Sequence, residues 1–387
     1  MIFKSSYPNI DIPDVGVYQF VTSNPNKISD NKAIFIDGIT EKKVTFAIFS
    51  HNVVDYPIAA FGAIAAGGIV TSSSPLSREY ELTFNLIDSG ASMIFVHPNY
   101  LDVVVKAAED AKIPKSKIFL LGEEVGGFQS YCSLIGDHEI EPISYTSEEV
   151  RTTIAFLGSS SGTTGKPKGI ELTHKNVVAA VMHLAAAEYT VGNIFMGMMP
   201  FYYMYGMVII VISAVFLGDS TIVIPRFELG LFCSCIQKYK ISYAHASLPI
   251  VLELIKNPIA KNYDISNLKM VFSTGAPLSI LTSKKFYDIH KIPIKQGYGL
   301  TETSLLAINK SDNIVAGSVG VLIPNIEAKV VSEEGLELGY NERGELWVRG
   351  PTLSKGYLNN EEATKASFDK DGFFHTGDLV FVDDNSN

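Results

Sequence analysis

The sequence predicts an α/β protein in which doubly wound, parallel-sheet subdomains are followed by a small antiparallel β subdomain. Short apolar runs alternate with helix-length amphipathic segments from about residue 57 to 300, and this pattern is typical of βαβ units. Beyond about Gly317, polar and apolar residues alternate within short runs, which is typical of half-buried antiparallel strands. The 387 residues also exceed the roughly 250–300 that one hydrophobic core supports, so we expect more than one subdomain.

The individual elements follow from the same patterns. In the first part we predict strands at 92–97 and 118–121 around a helix at 100–112, then strands at 220–225 and 268–273 around a helix at 230–239. The apolar segment 207–217 is shorter than the ~20 residues that span a bilayer, so it is predicted to be a buried core helix. The Gly-, Ser- and acid-rich stretch 122–149 is expected to be an exposed loop or linker. In the last part, strands are predicted at 326–331 and 344–349.

Composition excludes several classes of protein. A formal net charge of -10 argues against a general nucleic-acid or anionic-membrane surface. Three cysteines do not form a disulfide framework in a chain of this length, so a reducing compartment is expected. Cys233 and Cys235 are interpreted as packing residues rather than metal ligands. The first residues lack the apolar core of a signal peptide, and a soluble protein without a transmembrane segment is expected.

The stretch LGSSSGTTGKPKGIELTH, residues 157–174, carries more hydroxyls, glycines and lysines than a turn requires. Small residues after a strand can turn several backbone N–H groups toward one anion, and Lys166 and Lys168 add positive charge. Thr173 is a candidate N-cap for a following helix, whose dipole would also favour an anion. Gly165-Lys166 is followed by proline, so the stretch is not a Walker A loop. It predicts a phosphate-binding loop.

Three later segments also carry chemistry. QGYGLTE, residues 296–302, places Glu302 on a glycine-flanked turn, where a carboxylate suits Mg²⁺ bound to phosphates. STGAP, residues 273–277, offers small residues that a flat base can approach closely. FFHTGD, residues 373–378, ends in Asp378, an acceptor-only carboxylate that suits the hydroxyls of a ribose.

In their order along the chain, the four segments resemble the motifs of the adenylate-forming enzymes, which comprise acyl- and aryl-CoA ligases, insect luciferases and peptide-synthetase adenylation domains. The resemblance covers nearly the whole chain. It implies one AMP-binding large domain over 1–387, with α/β subdomains over about 1–316 and a small β subdomain over 317–387. It also implies that the family's carboxy-terminal domain is absent, and that a helix normally found between Val44 and Ala47 is missing, so that one face of a subdomain is expected to be exposed.

The resemblance also implies roles for individual residues. Lys168, Thr301 and Glu302 would be catalytic, with Glu302 holding Mg²⁺, Tyr298 stacking on adenine and Asp378 binding the ribose. Arg226 would contact a phosphate of coenzyme A, or equally form a surface salt bridge. The nucleotide-binding set is Ser160, Ser161, Gly162, Thr163, Thr164, Gly165, Lys168, Arg226, Gly275, Ala276, Gln296, Gly297, Tyr298, Thr301 and Asp378.

The acid-binding pocket is expected near the segment 200–207. Tyr203 stands where ligases of the 4-coumarate type usually carry histidine. Peptide-synthetase adenylation domains carry an aspartate in this region to pair an α-amino group, and this segment has none, which favours an acid without that amine. Tyr203, Tyr205 and His245 are candidate pocket walls, and each is equally interpreted as a packed core residue.

The function implied is ATP-dependent activation of a carboxylic acid as an acyl-adenylate, followed in the full enzyme by thioester formation with coenzyme A. The partners would be ATP, Mg²⁺, coenzyme A and a small carboxylic acid, without nucleic acid. The alternatives are a non-catalytic nucleotide-binding fragment or pseudoenzyme, and a luciferase-like oxidative enzyme. A cytoplasmic and a peroxisomal location both stay open, as do the acid and the oligomeric state.

Overall fold

The computed structural model describes residues 1–23, 44–136, 141–160, 168–187 and 192–385. In chain order the strands are β1 Phe3–Lys4, β2 Thr45–Phe49, β3 Ile69–Ser72, β4 Ala91–Val96, β5 Ile118–Leu120, β6 Ile154–Ser160, β7 Lys168–Thr173, β8 Ile194–Gly197, β9 Ser220–Val223, β10 Tyr243–His245, β11 Met270–Ser273, β12 Ile294–Leu300, β13 Ser304–Ile308, β14 Val321–Leu322, β15 Glu327–Val331, β16 Gly344–Arg349, β17 Gly356–Tyr357 and β18 Phe374–Val380.

The α-helices are α1 Val17–Thr22, α2 Asp55–Ala65, α3 Glu79–Asp88, α4 Leu101–Asp110, α5 Ser147–Thr152, α6 His174–Ala187, α7 Ser213–Leu217, α8 Leu229–Tyr239, α9 Leu248–Lys256, α10 Ile280–His290 and α11 Glu361–Ala366. A π-helix, Tyr205–Ile212, leads directly into α7. The predicted strands and helices therefore form, with ends within two residues of those expected. The predicted core helix is the π-helix together with α7.

Two of the sheets are largely parallel. The first has the order β17-β7-β6-β3-β2-β4-β5, and its strands from β6 to β5 run parallel. The second has the order β14-β13-β12-β11-β10-β8-β9, and its strands from β12 to β9 run parallel. Antiparallel strands extend one end of each sheet. This architecture confirms the predicted α/β class.

The third sheet is small and antiparallel, with the order β1-β15-β16-β18. Its central pair places Ala328 opposite Val348, both fully buried. Strand pairing crosses the boundary expected near residue 317. The amino-terminal strand β1 adds to β15 of the small sheet, while β17 adds to β7 of the first sheet.

Strand β2 passes without a break through the position where a helix was expected to be missing. All five residues of β2 are buried, as in a parallel strand covered on both faces. Phe46 and Ile48 enter the main core, while Ala47 and Phe49 pack on the side of α3 and α4. The expected exposed face is therefore not found on β2. Exposed apolar side chains lie instead on α3, at Tyr80, Phe84 and Ile87.

The prediction of an exposed loop or linker over residues 122–149 is partly wrong. Phe128 and Tyr131 are buried, and the Tyr131 hydroxyl donates to Asp55 at 2.6 Å. The last residues of the stretch begin α5, where Thr146 and Glu149 form a reciprocal capping box. Residues 137–140 lie outside the described residues.

Two other predictions concern packing and membranes. Cys233 and Cys235 are buried in α8, where burial raises the pKa of both thiols, as expected of packing residues. In the parts of the chain that the structure describes, we find no helix with the length and apolar character needed to cross a bilayer.

Asp14 ties the amino-terminal segment to α5 and α6. Its carboxylate accepts from Arg151 at 2.6 Å and from Lys175, and these two partners lower its pKa from 3.8 to about 2. A depressed pKa stabilises the fold above the unfolded value near 3.8, and this contribution is lost as the pH falls toward 2. We expect Asp14→Asn to cost about 1–2 kcal/mol at pH 7, allowing for solvent screening at the exposed Arg151.

Urea unfolding of this variant and the wild type at pH 7 and at pH 2.5 measures the effect. The difference between the two proteins should shrink at the lower pH, because Asp14 is then protonated in the unfolded wild type and folding must remove that proton to form the ion pairs. Asp288→Asn is a matched control on the exposed surface of α10, and it should leave stability within about 0.5 kcal/mol. An equal loss from Asp14→Asn at both pH values would contradict the assignment.

Candidate active site

One large cavity, of about 1240 Å³, lies where the three sheets meet. Its wall includes the ends of β6 and β7, the turn between β12 and β13, the start of the π-helix and residues 374–377 of β18. Six predicted site residues line it: Lys168, Tyr203, Tyr205, Gly275, Thr301 and Glu302. The sheet edges therefore bring together residues that are far apart in the chain.

Glu302 lies in the tight turn between β12 and β13. The turn is held by Thr303, whose hydroxyl accepts from the Leu300 N–H at 3.1 Å. Gly299 is required at this point, because a Cβ there would stand 2.0 Å from the Ser304 carbonyl oxygen. The backbone carbonyl of Glu302 also accepts from Ser354 at 2.7 Å, so the turn is anchored to the segment before β17.

A cation, a carboxylate and a phenol meet beside this turn. The Tyr357 hydroxyl donates to Glu302 Oε1 at 3.2 Å, and Lys168 Nζ stands 4.9 Å from the centre of the Tyr357 ring. Burial and the neighbouring Glu302 carboxylate raise the pKa of Tyr357 to about 12, so the phenol stays protonated and keeps donating. This part of the cavity lining can bind phosphate oxygens at Lys168 and a hard cation at Glu302.

Tyr298 and Asp378 lie side by side, and neither lines the cavity itself. The Tyr298 hydroxyl donates to Asp378 Oδ2 at 2.6 Å, and burial together with this bond raises the pKa of Tyr298. Asp378 follows Thr376 and Gly377, which line the cavity, and Gly377 has a positive φ of 74°. The bond joins β12 of the second sheet to β18 of the small sheet.

The segment 273–277 follows β11 and reaches the cavity through Thr274 and Gly275. Gly275 has a φ of 83°, and a Cβ added there would meet nothing within 4 Å, so the backbone faces open space. A flat base can approach such a backbone closely. Ala276 is exposed beside it and does not line the cavity.

Gln296 and Gly297 do not line the cavity either. Gln296 is buried, and its side chain accepts from Leu278 at 2.6 Å and donates to the Ser318 carbonyl at 3.2 Å. It thereby supports the segment that carries Gly275. A Cβ on Gly297 would stand 2.6 Å from the Phe272 ring, so this glycine allows β11 and β12 to pack.

Most of the predicted phosphate loop lies outside the described residues, namely Ser161, Gly162, Thr163, Thr164 and Gly165. Both flanks of the loop are described. Ser160 pairs with Lys168 at the ends of β6 and β7, and Ser159 and Lys168 line the cavity.

The prediction that a helix dipole helps the loop to bind an anion is wrong, because strand β7 separates the loop from α6. Thr173 does cap α6, since its hydroxyl accepts from the Asn176 N–H at 3.2 Å. Thr173 pairs with Ile154, at the opposite end of the hairpin from Ser160 and Lys168. At ~3.3 Å per strand residue the helix start is therefore far from the loop.

Another part of the cavity lining is aromatic and apolar. Tyr203 and Tyr205 line it with Tyr202, and Tyr203 is 50% exposed at the surface. Gly206 allows the chain to wind tightly here, because a Cβ would stand 2.1 Å from the Pro200 carbonyl oxygen. Other apolar residues that line the cavity include Leu172, Val177, Ala180, Met199, Met204, Val208, Ile209, Leu300 and Leu305.

Two predicted residues lie away from the cavity. His245 is 1% exposed and stands behind Tyr205, to which it is hydrogen-bonded. Burial lowers the pKa of His245 to about 3, so its imidazole is neutral. Arg226 is exposed after β9, does not line the cavity and forms no salt bridge with a described residue.

Sequence reasoning missed one polar wall of the cavity. Ser72 ends β3, and Ser73, Ser74 and Ser77 follow it toward α3, which adds Glu81 and Asn85. The signal was present, because residues after a parallel strand lie at the ligand-binding edge of such a sheet. Thr352 and His375 also line the cavity and were not predicted.

A metal site built from the protein alone is not found in the described ranges, where no three His, Cys, Asp or Glu side chains are placed to hold an ion. Glu302 still fits Mg²⁺, which typically takes one or two carboxylates and completes its shell with phosphate oxygens and water. The donor set therefore suits a cation that arrives with a phosphate ligand.

Comparison with known proteins agrees with this geometry. A family model described as AMP-binding enzyme matches residues 33–358. A probable 4-coumarate–CoA ligase from Dictyostelium discoideum is 31% identical over 438 residues, which covers 99% of this chain and 77% of the relative. That alignment is longer than the 387 residues of this chain, so the relative carries residues within it that have no counterpart here.

Two solved structures have a similar fold. A long-chain-fatty-acid–CoA ligase from Archaeoglobus fulgidus has a TM-score of 0.88 at 24% identity and covers 99% of this chain and 85% of its own. A luciferase-like enzyme from the nonluminescent Zophobas morio mealworm has a TM-score of 0.87 at 22% identity and covers 100% and 97%. At these identities the likeness concerns the fold.

Proposed function

Because the chain belongs to the AMP-binding enzyme family, we propose that it activates a carboxylic acid with ATP, and that in the full enzyme the acyl-adenylate passes to coenzyme A. One observation carries the proposal. A single cavity is lined both by charged side chains, including Lys168 and Glu302, and by apolar and aromatic side chains, including Tyr205. These two kinds of lining suit a triphosphate and the body of an organic acid.

In this reaction a carboxylate oxygen attacks the α-phosphorus of ATP, the bond to the β-phosphate breaks, and pyrophosphate leaves. Lys168 would hold phosphate oxygens, and the Thr301 hydroxyl would donate a hydrogen bond to the α-phosphate. Glu302 would hold Mg²⁺, and that ion, when bound, supplies charge neutralisation on the phosphates. The protein's contribution is then positioning and electrostatic stabilisation, without a covalent enzyme intermediate.

The nucleoside would lie between the Gly275 backbone and residues Thr376 and Gly377 of β18. Gly275 leaves the room that a base needs, and Asp378 would accept from the ribose hydroxyls. The hydrogen bond from Tyr298 to Asp378 supports this role, because it holds the carboxylate in one place. Stacking of Tyr298 on the base stays a proposal, as does the contact of Arg226 with coenzyme A.

The acid would lie against the aromatic part of the lining. The cavity-lining residues between Met199 and Ile209 include no carboxylate, so nothing in this segment pairs an α-amino group. Tyr202, Tyr203 and Tyr205 supply broad, flat surfaces. We propose an aryl acid or a medium-length acyl acid as the substrate.

Acid-dependent exchange of pyrophosphate with ATP tests the proposal on the purified chain. We expect exchange with a subset of aryl and fatty acids, and its loss in Lys168→Ala. Lys261→Ala, a surface lysine outside the cavity, is the control. A folded chain that binds ATP and shows no exchange with any acid would contradict catalysis and favour nucleotide binding alone. Assays with coenzyme A and with oxygen then distinguish a ligase from an oxidative enzyme.

A further inference from the structure

Tyr205 lines the proposed acid pocket and is also hydrogen-bonded to a buried histidine. It is the first residue of the π-helix and lines the cavity, while its hydroxyl and Nδ1 of His245 share a hydrogen bond of 2.7 Å. The Tyr205 and His245 rings are 5.6 Å apart and nearly perpendicular, at 73°. Tyr205 is therefore part of the cavity wall, and its hydroxyl is held by a histidine that does not line the cavity.

His245 is itself held firmly. It ends β10, is 1% exposed, and lies between aromatic rings of the two neighbouring strands. The Phe195 ring on β8 is 6.0 Å away at 27°, and the Phe272 ring on β11 is 5.5 Å away at 66°. A polar imidazole between two phenyl rings costs free energy unless it is hydrogen-bonded. The bond to Tyr205 is one such compensation.

The bond also keeps its character over the working range of pH. Burial lowers the pKa of His245 to about 3, so the imidazole carries no charge at neutral pH. The contact is therefore a hydrogen bond between two neutral groups. Its effect is geometric, because it holds the Tyr205 hydroxyl in place and, since a phenolic O–H prefers the plane of its ring, favours one angle of that ring.

We propose that His245 is a positioning residue for acid recognition, which holds the ring of Tyr205 at one angle and thereby favours planar aromatic acids over flexible aliphatic ones. This inference rests on the proposed function. Aromatic rings attract each other in edge-to-face and offset-stacked arrangements, so an aryl acid gains from a fixed ring. A methylene chain packs against a mobile ring almost as well.

The test compares His245→Leu with His245→Asn, in which an amide can occupy the place of Nδ1. We expect His245→Leu to raise the KM for an aryl acid about three- to tenfold, leave kcat within about twofold, and change the KM for a medium-chain fatty acid by less than about twofold. His245→Asn should restore most of the preference. His183→Leu is the matched control, since it removes another fully buried imidazole that is not bonded to Tyr205.

A double-mutant cycle with Tyr205→Phe separates positioning from packing. If His245 acts through the hydroxyl, His245→Leu has no further effect on acid preference in the Tyr205→Phe background. Independent effects of the two substitutions, or equal KM changes for both classes of acid, would overturn the inference. A wild type that exchanges no acid at all would instead overturn the proposed function, and the two failures are thus distinguishable.

Ring-labelled tyrosine and NMR provide a readout that needs no substrate. The Tyr205 ring should flip slowly in the wild type and in His245→Asn, and faster in His245→Leu. Equal flip rates in all three proteins would show that His245 does not fix the ring, whatever the outcome of the activity assays.

Discussion

Replacing Glu302 with glutamine is expected to lower acid-dependent ATP–pyrophosphate exchange by on the order of 10²–10³-fold, as for the loss of other groups that stabilise transition-state charge. Glutamine keeps the size of the side chain and still accepts from the Tyr357 hydroxyl, which stands 3.2 Å from Glu302 Oε1. The change removes the negative charge that would hold Mg²⁺. A cluster of ligating side chains that could replace it is not found in the residues described.

Exchange rates measured over a range of Mg²⁺ concentrations check this result. The variant should need more Mg²⁺ for half-maximal rate, and chelation of the metal should abolish exchange in both proteins. Tyr357→Phe removes only the donated hydrogen bond and should lose less than tenfold. Glu253→Gln, on the exposed side of α9, is the control for a surface carboxylate. Exchange within threefold of the wild type in Glu302→Gln would refute the role of this carboxylate.

Replacing Asp378 with asparagine is expected to raise the Kd for ATP about 10–100-fold, since hydrogen bonds to charged groups contribute about 1.5–3 kcal/mol. The carboxylate accepts from Tyr298 at 2.6 Å and would accept from the ribose as well. The asparagine amide has one acceptor oxygen in place of two, and its N–H groups would face the Tyr298 hydroxyl or the ribose hydroxyls, which are the donors here. The rate at saturating ATP should change little, because the 2′ and 3′ hydroxyls of the ribose take no part in the bond changes at the α-phosphorus.

Calorimetric titration with ATP and with its deoxyribose analogues measures this effect. The wild type should bind a deoxy analogue more weakly than ATP, and Asp378→Asn should discriminate much less between the two. The Asp14 variant, whose carboxylate lies outside the cavity, is a control for a general loss of stability. Undiminished discrimination in Asp378→Asn would assign the ribose to another residue.

The repeating units of the fold were predictable because their signal is local. Buried parallel strands such as β4 and β11 are short apolar runs, and the small sheet alternates polar and apolar residues through β16. Strand β7 was missed, although Ile170 and Leu172 alternate with the less buried Gly169 and Glu171, since its lysine and glycine also match the end of a phosphate loop. The π-helix was predicted only as a helix, because a segment that is apolar all round has no period to reveal its winding.

The site was predictable where the chain order carries chemistry, and unpredictable where contacts depend on the sheet order. Lys168, Thr301 and Glu302 come from recognisable motifs, and all three line the cavity. His245 stands behind Tyr205 because β10 lies between β8 and β11, and nothing in the 40 residues that separate the two side chains indicates this. The serines after β3 resemble an ordinary turn until the fold places them at the cavity.

The pairing of β17 with β7 has a consequence for how the protein is made. The first sheet receives its last strand only from residues 356–357, and Lys355 and Leu358 bond to Glu171 and Gly169 beside it. During synthesis on the ribosome, the edge of β7 therefore stays uncovered until nearly the whole described chain has emerged. An uncovered strand edge is a site of association between chains. Synthesis that pauses or stops after the second sheet should thus yield chains that aggregate, and a chaperone that shields this edge should be needed most at that stage.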